Sequence, residues 1–377
     1  MRFSKAGGQH NMAIDEDLKA GCDVTVGFPH DGDMAPAKRL REIADFMEAH
    51  GWGDEAYLDG AMTQALEADV ATRLGKKAAL WFPTGTMAQG VAARIHAAQT
   101  GHGTLLLHPS SHLELHEEQG YREAHGLRAR LTDHWRAPVT AGDVAAADDD
   151  IAAVFLELPQ RHAGGALPSW SELQTIKSEC AARGAKLHID GARLWTCIQA
   201  YEGRSLADIC DGADSVYVSF YKDIGALGGA ALAGSEEFVE AAKIWRHRLG
   251  GLQIRGWPNV PDALRLLPER MARMPDYVAR ARMLASAIHA ASGFEIEPGE
   301  PRTNMFHVRI PMDETTIQSA RDHAARETGV WLANRFWDYE GPNMHSAELS
   351  VGERIMAIDP GRIAAAFAAM ANFGQQA

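Results

Sequence analysis

Apolar residues recur along this chain in short dense runs, each closed by a turn residue and followed by a longer stretch with helical spacing. Ala79–Phe82 is apolar and is broken by Pro83, after which Thr84-Gly85-Thr86 open an alanine-rich segment that predicts a long helix. Thr104–Leu107 and Ile151–Leu158 predict two further strands, the second ending in Pro159. A helix is expected over Ser171–Arg183, with Cys180 on its buried face, and Gly184 stops it ahead of a short buried strand at Leu187–Ile189. Val216, Val218 and Phe220 alternate with other positions, which predicts a half-buried strand. A glycine-rich turn and a second strand-like run, Ala230–Gly234, follow at once. Ser235, with Glu236 and Glu237 behind it, caps a helix reaching about Leu249. Alternation of this kind implies an α/β large domain with a mainly parallel sheet covered by helices.

Beyond Leu252 the pattern changes. Pro258, Pro261 and Pro268 interrupt it, and the passage reads as the approach to a smaller α/β C-terminal domain. That domain is expected to hold a helix over Ala272–Ser292, a strand over Met305–Ile310 and a last helix from about Pro360 to Asn372. The expected organisation is an N-terminal segment, 1–50, packing on the main domains, a large domain, 51–265, and a small domain, 266–377. A length of 377 residues suits one large and one smaller core. Ala145–Asp150 reads as a polar surface loop.

Composition narrows the partners. A hydrophobic content of 46% with 23% charged residues is that of a globular protein in water, and a net charge of −13 argues against nucleic acid or an anionic membrane. No run of about 18 apolar residues predicts a membrane span, and the first residues lack an apolar signal core. The four cysteines are scattered without metal or redox spacing, so a reducing, cytoplasmic setting is expected.

Chemistry concentrates at strand ends. Lys222 follows the alternating strand and faces a predicted cleft, where burial lowers an ammonium's pKa and makes the amine a nucleophile for an aldehyde. Asp190 ends the strand Leu187–Ile189 ahead of Gly191, although it also suits a cap for the segment starting at Ala192. The start of the helix behind Thr84 offers free N–H groups for a phosphate, with Gly85 allowing close approach and Thr86 adding a hydroxyl. An amine, a carboxylate and a phosphate cradle together match pyridoxal 5′-phosphate, whose ring nitrogen needs the acid. Arg193 in the DGAR motif suits a substrate carboxylate, or a structural ion pair. His108, His112 and His116 have spacing that a helix could turn into a metal site, but Pro109 opposes that helix and no metal is expected. His116 and Glu117 read as ordinary helix-surface residues.

The ordered motifs PTGTMAQ, SHLELHEEQG, LHIDGARLW and SVYVSFYKDIGALGGAALAG resemble the threonine aldolase family, grouped with the aromatic amino acid β-eliminating lyases. The likeness runs from roughly Gly51 to Gly251. It implies the aspartate aminotransferase fold, type I of the pyridoxal-phosphate enzymes, with Lys222 as the cofactor lysine, Asp190 at the ring nitrogen, and Gly85 and Thr86 at the phosphate. His112 matches the family histidine that stacks on the cofactor and serves proton transfer, and Arg193 falls at the carboxylate. The implied activity is cleavage of a β-hydroxy-α-amino acid to glycine and an aldehyde; the alternatives are β-elimination and transamination. The family builds its site between chains, which implies a homodimer or homotetramer with a basic residue between Arg246 and Arg255, Arg255 foremost, reaching a neighbour's phosphate. Three features depart from the family pattern. Tyr221 and Asp223 flank the lysine, the N-terminal Ser-Asp-x-x-Thr signature is missing, and Glu348 stands where a second carboxylate-binding arginine is usual. Arg161 is the candidate to supply that missing positive charge.

Overall fold

The computed structural model describes residues 14–27, 36–147, 150–338 and 341–376. Parts of the expected N-terminal segment (1–13 and 28–35) and of the expected loop Ala145–Asp150 (148 and 149) lie outside the described residues. The chain forms two compact units, one from 32–162 and 166–273, the other from 1–31, 163–165 and 274–377.

The larger unit is built on seven strands: β1 (Ala78–Phe82), β2 (Thr104–Leu107), β3 (Arg128–Leu131), β4 (Ile151–Glu157), β5 (Lys186–Gly191), β6 (Ser215–Ser219) and β7 (Ala230–Gly234). Their order is β1-β7-β6-β5-β4-β2-β3. Four neighbouring pairs, from β6 across to β3, are parallel, and β7 alone runs against both of its neighbours. Because β7 reverses between them, β1 and β6 point the same way, so the C-terminal ends of β1, β2, β4, β5 and β6 share one edge. That edge is where an open α/β sheet binds ligands.

The expected half-buried character of β6 is corrected: all five of its residues are buried, as in β4. Helices cover both faces of such a sheet, so apolar–polar alternation carries little information in it. Helix α1 (Gly85–Thr100) lies over the sheet with Ala88, Val91, Ala92, Ala93 and Ile95 buried. Small side chains on that face let the helix axis come close to the strands. Thr84 caps it, its hydroxyl accepting from the Met87 amide at 3.2 Å, and Gly101 ends it in the left-handed region. Helix α2 (Glu236–Arg248) begins at Ser235 as expected.

The prolines near 260 do not end the helical pattern. A single helix, α3 (Asn259–Ser292), takes in Pro261, Pro268 and Pro275. Pro261 sits in its first turn, where no amide donor is required, and Pro268 and Pro275 lie on its exposed face, where water can satisfy the carbonyls they strand. The chain passes from one unit to the other within this helix, between Arg273 and Met274.

The smaller unit contains the antiparallel strands β8 (Glu295–Glu297), β9 (Met305–Ile310) and β10 (His345–Ser350), ordered β10-β9-β8. Two short segments, Val24–Thr25 and Val330–Trp331, pair in parallel. Helices Glu314–Thr328 and Pro360–Gln376 pack on each other, the second running past the expected Asn372.

Candidate active site

The C-terminal edge of the large sheet gathers the candidate side chains. Glu157 and Asp190 end β4 and β5 as direct cross-strand partners. After β6 the chain turns at Phe220, whose amide donates to Gly229 O at 3.1 Å, and Ala226 N donates back to Phe220 O at 2.8 Å. This closed turn holds Lys222 over the sheet edge. His112 opens a short helix, His112–Leu115, behind β2. One cavity is lined by Ser110, His112, His116, Glu157, Arg161, His162, Asp190, Ala192, Arg193 and Lys222. Five of the predicted site residues (His112, Arg161, Asp190, Arg193 and Lys222) thus share a wall. Gly85 and Thr86 stand at the N-terminus of α1, on the same edge of the sheet.

Asp190 is buried, and its Oδ1 accepts from the Ala192 amide at 3.2 Å. It therefore also makes the local cap contact that the sequence left open. Burial raises its pKa, opposed by the cations Lys222 and a charged His112. Glu157 beside it is pushed up to about 7 by burial and by the Asp190 charge. Its two oxygens accept from Arg161 N at 3.1 Å and from Gln160 Nε2 at 3.0 Å. Lys222 is brought down to about 8, first by desolvation and then by the guanidinium groups of Arg193 and Arg161, against the pull of Asp190.

Glu117 and His116 are corrections to the sequence reading. Neither is a plain surface residue. The Glu117 side chain is only 5% exposed, and its Oε1 lies 2.9 Å from His112 Nδ1. Desolvation lifts Glu117 to about 8, while burial and the Lys222 charge take His112 down to about 4. The pair is thus neutral near pH 7. The contact has two arrangements: the carboxyl O–H donates to Nδ1 with the imidazole proton on Nε2, or Nδ1–H donates to Glu117 Oε1, which leaves Nε2 as an acceptor facing the cavity. Glu118 and Gln119, at φ 50 and 54, turn the chain sharply here, a left-handed conformation that costs non-glycine residues about 1 kcal/mol or more each. His116 Nε2 meets His162 Nε2 at 2.8 Å, so at least one of these rings is neutral. No spacing rule brings these partners together; a polar residue five places beyond the candidate histidine was the only available signal.

Other predicted residues are placed as follows. Tyr221 is exposed, and its ring centroid lies 5.5 Å from Lys222 Nζ. Arg246 is buried and donates to Trp81 O at 2.6 Å, so it points into its own chain, whereas exposed Arg255 pairs with Asp54 at 3.1 Å. Glu348, in β10, faces His307 of β9 at 3.5 Å.

The beta-eliminating lyase family matches residues 36–311. The chain belongs to this family. Its fold is type I of the pyridoxal-phosphate enzymes, and a Listeria monocytogenes structure provisionally described as an L-allo-threonine aldolase shares it. That structure is 33% identical, with a TM-score of 0.87 over 95% of this chain and 99% of the other. A second, from Exiguobacterium sp. 255-15, provisionally described as an aromatic amino acid beta-eliminating lyase/threonine aldolase, is also 33% identical, with a TM-score of 0.85 over the same shares. The low specificity L-threonine aldolase of Escherichia coli strain K12 is 27% identical over 276 residues, 72% of this chain and 81% of its own length. Low-specificity L-threonine aldolase 1 of Arabidopsis thaliana is 28% identical over 277 residues, 71% of this chain and 77% of its own. Family membership implies a pyridoxal-phosphate lyase acting on amino acids.

Proposed function

We propose that the chain cleaves β-hydroxy-α-amino acids to glycine and an aldehyde, using pyridoxal 5′-phosphate held at the C-terminal edge of the large sheet. The observation that carries this reading is the shared wall of Lys222, Asp190, His112, Arg193 and Arg161. The residues fit the group: a buried acid, a half-buried amine of lowered pKa and an open helix N-terminus stand along one sheet edge. Lys222 would hold the aldehyde carbon, Asp190 the ring nitrogen, and Gly85 and Thr86 the phosphate. When bound, the cofactor supplies the electron sink into which the Cα–Cβ bond breaks.

The chain's own groups do the rest. Arg193 binds the substrate carboxylate through two parallel N–H donors and fixes the orientation of Cα, with Arg161 adding a second positive charge. His112, neutral and with a nitrogen able to accept, takes the β-hydroxyl proton. Lys222 moves the proton at Cα. Arg255 of a neighbouring copy is the residue proposed to reach the phosphate.

Threonine, allo-threonine, phenylserine, serine and tyrosine, assayed side by side with products separated, test the reading. Glycine plus aldehyde from the β-hydroxy substrates is expected. Pyruvate and ammonia from serine or tyrosine, with no glycine from any substrate, would move the assignment to β-elimination.

A further inference from the structure

A second cavity of the big unit lies away from the Lys222 site. It has a volume of ≈ 370 Å³ and is lined by Lys77, Lys186, Asp214 and Ser235, among others. These residues sit at or beside the starts of β1, β5 and β6 and the end of the reversed β7, so the cavity opens at the sheet edge opposite the candidate active site. Three ammonium groups (Lys76, Lys77 and Lys186) face one carboxylate, Asp214, in a chain of net charge −13. Lys76 is anchored on Cys210 O and Ala213 O at 2.8 and 2.6 Å, and Lys186 on Asp214 at 2.8 Å. Lys77 is exposed and makes no ion pair among the described residues. The first turn of α2, behind Ser235, also lies at the wall.

A buried hydrogen-bond chain starts at this cavity. Gln99 Oε1 of the lining lies 3.2 Å from His96 Nδ1, and His96 Nε2 lies 2.6 Å from Ser215 Oγ. Ser215 Oγ lies 2.7 Å from His188 Nδ1, and His188 Nε2 lies 2.8 Å from Gln89 Oε1. His96, Ser215, His188 and Gln89 are all buried. Burial takes His96 down to about 4 and His188 well below the ordinary range, so each ring is neutral with one N–H. A neutral imidazole donates at one nitrogen and accepts at the other, and Ser215 has one proton. A carbonyl facing the ring at both ends leaves the single Ser215 proton with two acceptors, so only two arrangements, each with one terminal amide turned over, leave no link unpaired. In one, donation runs from the Gln99 amide through His96, Ser215 and His188 to the Gln89 carbonyl. In the other, every donor is reversed, from the Gln89 amide to the Gln99 carbonyl.

We propose that this cavity binds a phosphate-bearing small molecule and that Gln99 reads its occupancy. Ammonium point charges and a helix N-terminus suit phosphate, whereas no arginine is present to grip a planar carboxylate in two-point fashion. The Gln99 carbonyl already faces His96, so an anion that takes the Gln99 N–H holds it there and selects the reversed arrangement. The far end of the chain then flips at Gln89, in the second turn of α1, the helix whose N-terminus carries Gly85 and Thr86.

The test uses the holoenzyme, titrated calorimetrically with inorganic phosphate and with glucose 6-phosphate. Saturable binding is expected, tighter for the ester because the cavity exceeds a phosphate in size. Lys77→Glu, at an exposed position, should weaken it by roughly tenfold or more while leaving cofactor absorbance and melting temperature unchanged. Lys186→Gln is the second variant and should weaken it in the same direction. Nitrogen NMR of labelled histidines should show the His96 proton gather on Nδ1 at saturation. No saturable binding, or binding indifferent to both variants, overturns the site. A filled cavity with an unmoved His96 proton overturns the read-out.

Discussion

At the residue scale the decisive quantity is the proton on Lys222. Its amine attacks an aldehyde only when neutral, and desolvation with Arg193 and Arg161 lowers its pKa to about 8. Capture of pyridoxal phosphate by the apo-protein, followed by visible absorbance, should therefore rise with pH around a midpoint of about 8, not near the ordinary lysine value of 10.5. Lys222→Ala should abolish the borohydride-stable adduct on that peptide. Glu117 shifts the other way. Its folded pKa, about 8, lies above the ordinary 4.5, so its contribution to stability is complete below 4.5 and is lost as pH rises through 8. Glu117→Gln keeps the side chain neutral, and its stability relative to wild type should climb between pH 5 and 9, by on the order of 1–3 kcal/mol in urea denaturation. The two residues differ in how far the sequence exposes them. Lys222 and Asp190 announce themselves because strand ends next to glycines are readable from local pattern, whereas His112 was placed by the family resemblance alone. Glu117 does not, because its role depends on the left-handed turn at Glu118 and Gln119 that folds it back on His112.

Among the elements, the clearest tie is Asp262 of α3, fully buried. Its carboxylate accepts from Arg39 of helix Pro36–His50 at 2.6 Å, from Arg265 at 3.0 Å and from the Leu227 amide at 2.8 Å. One anion thus holds two helices to the glycine-rich turn that follows Lys222. Asp262→Ala takes the shared carboxylate from half-buried Arg39 and Arg265, which keep only Gly225 O and Glu42, and should cost about 2–3 kcal/mol in chemical denaturation. It should also raise hydrogen exchange at Leu227 more than at the β6 amides. Most elements were legible: the strand–helix alternation from β1 to α2, β3 apart, follows from apolar runs, caps at Thr84 and Ser235, and a stop at Gly184, while β3 escaped because Arg128 and Arg130 break any apolar run. Helix α3 was legible only from Ala272 onward, because Pro261 and Pro268 read as breaks until their places in the first turn and on the exposed face show that the helix tolerates them.

On the scale of the whole molecule, Tyr57, Tyr221, Leu227 and Ile254 leave large apolar side chains in water on loops of the larger unit. Tyr57 and Ile254 are joined through Tyr57 N and Ile254 O at 3.0 Å, and Tyr221 and Leu227 flank the Lys222 turn. Sedimentation of the holoenzyme should give a species of at least twice the 40.9 kDa chain mass, and an active monomer at assay concentration would refute the shared-site proposal. The α/β class was readable as a whole from the alternation of its elements. The composition of the smaller unit was not, since nothing local tells Val24–Thr25 that its partner is Val330–Trp331. That pairing has a consequence for synthesis. At ribosomal speeds the early strand waits on the order of half a minute for its mate to be made. Meanwhile the whole seven-stranded sheet has emerged and can fold. The waiting segment offers an unpaired strand edge to any neighbouring nascent copy, so exchange of N-terminal segments between chains is the misassembly to which this connectivity is exposed.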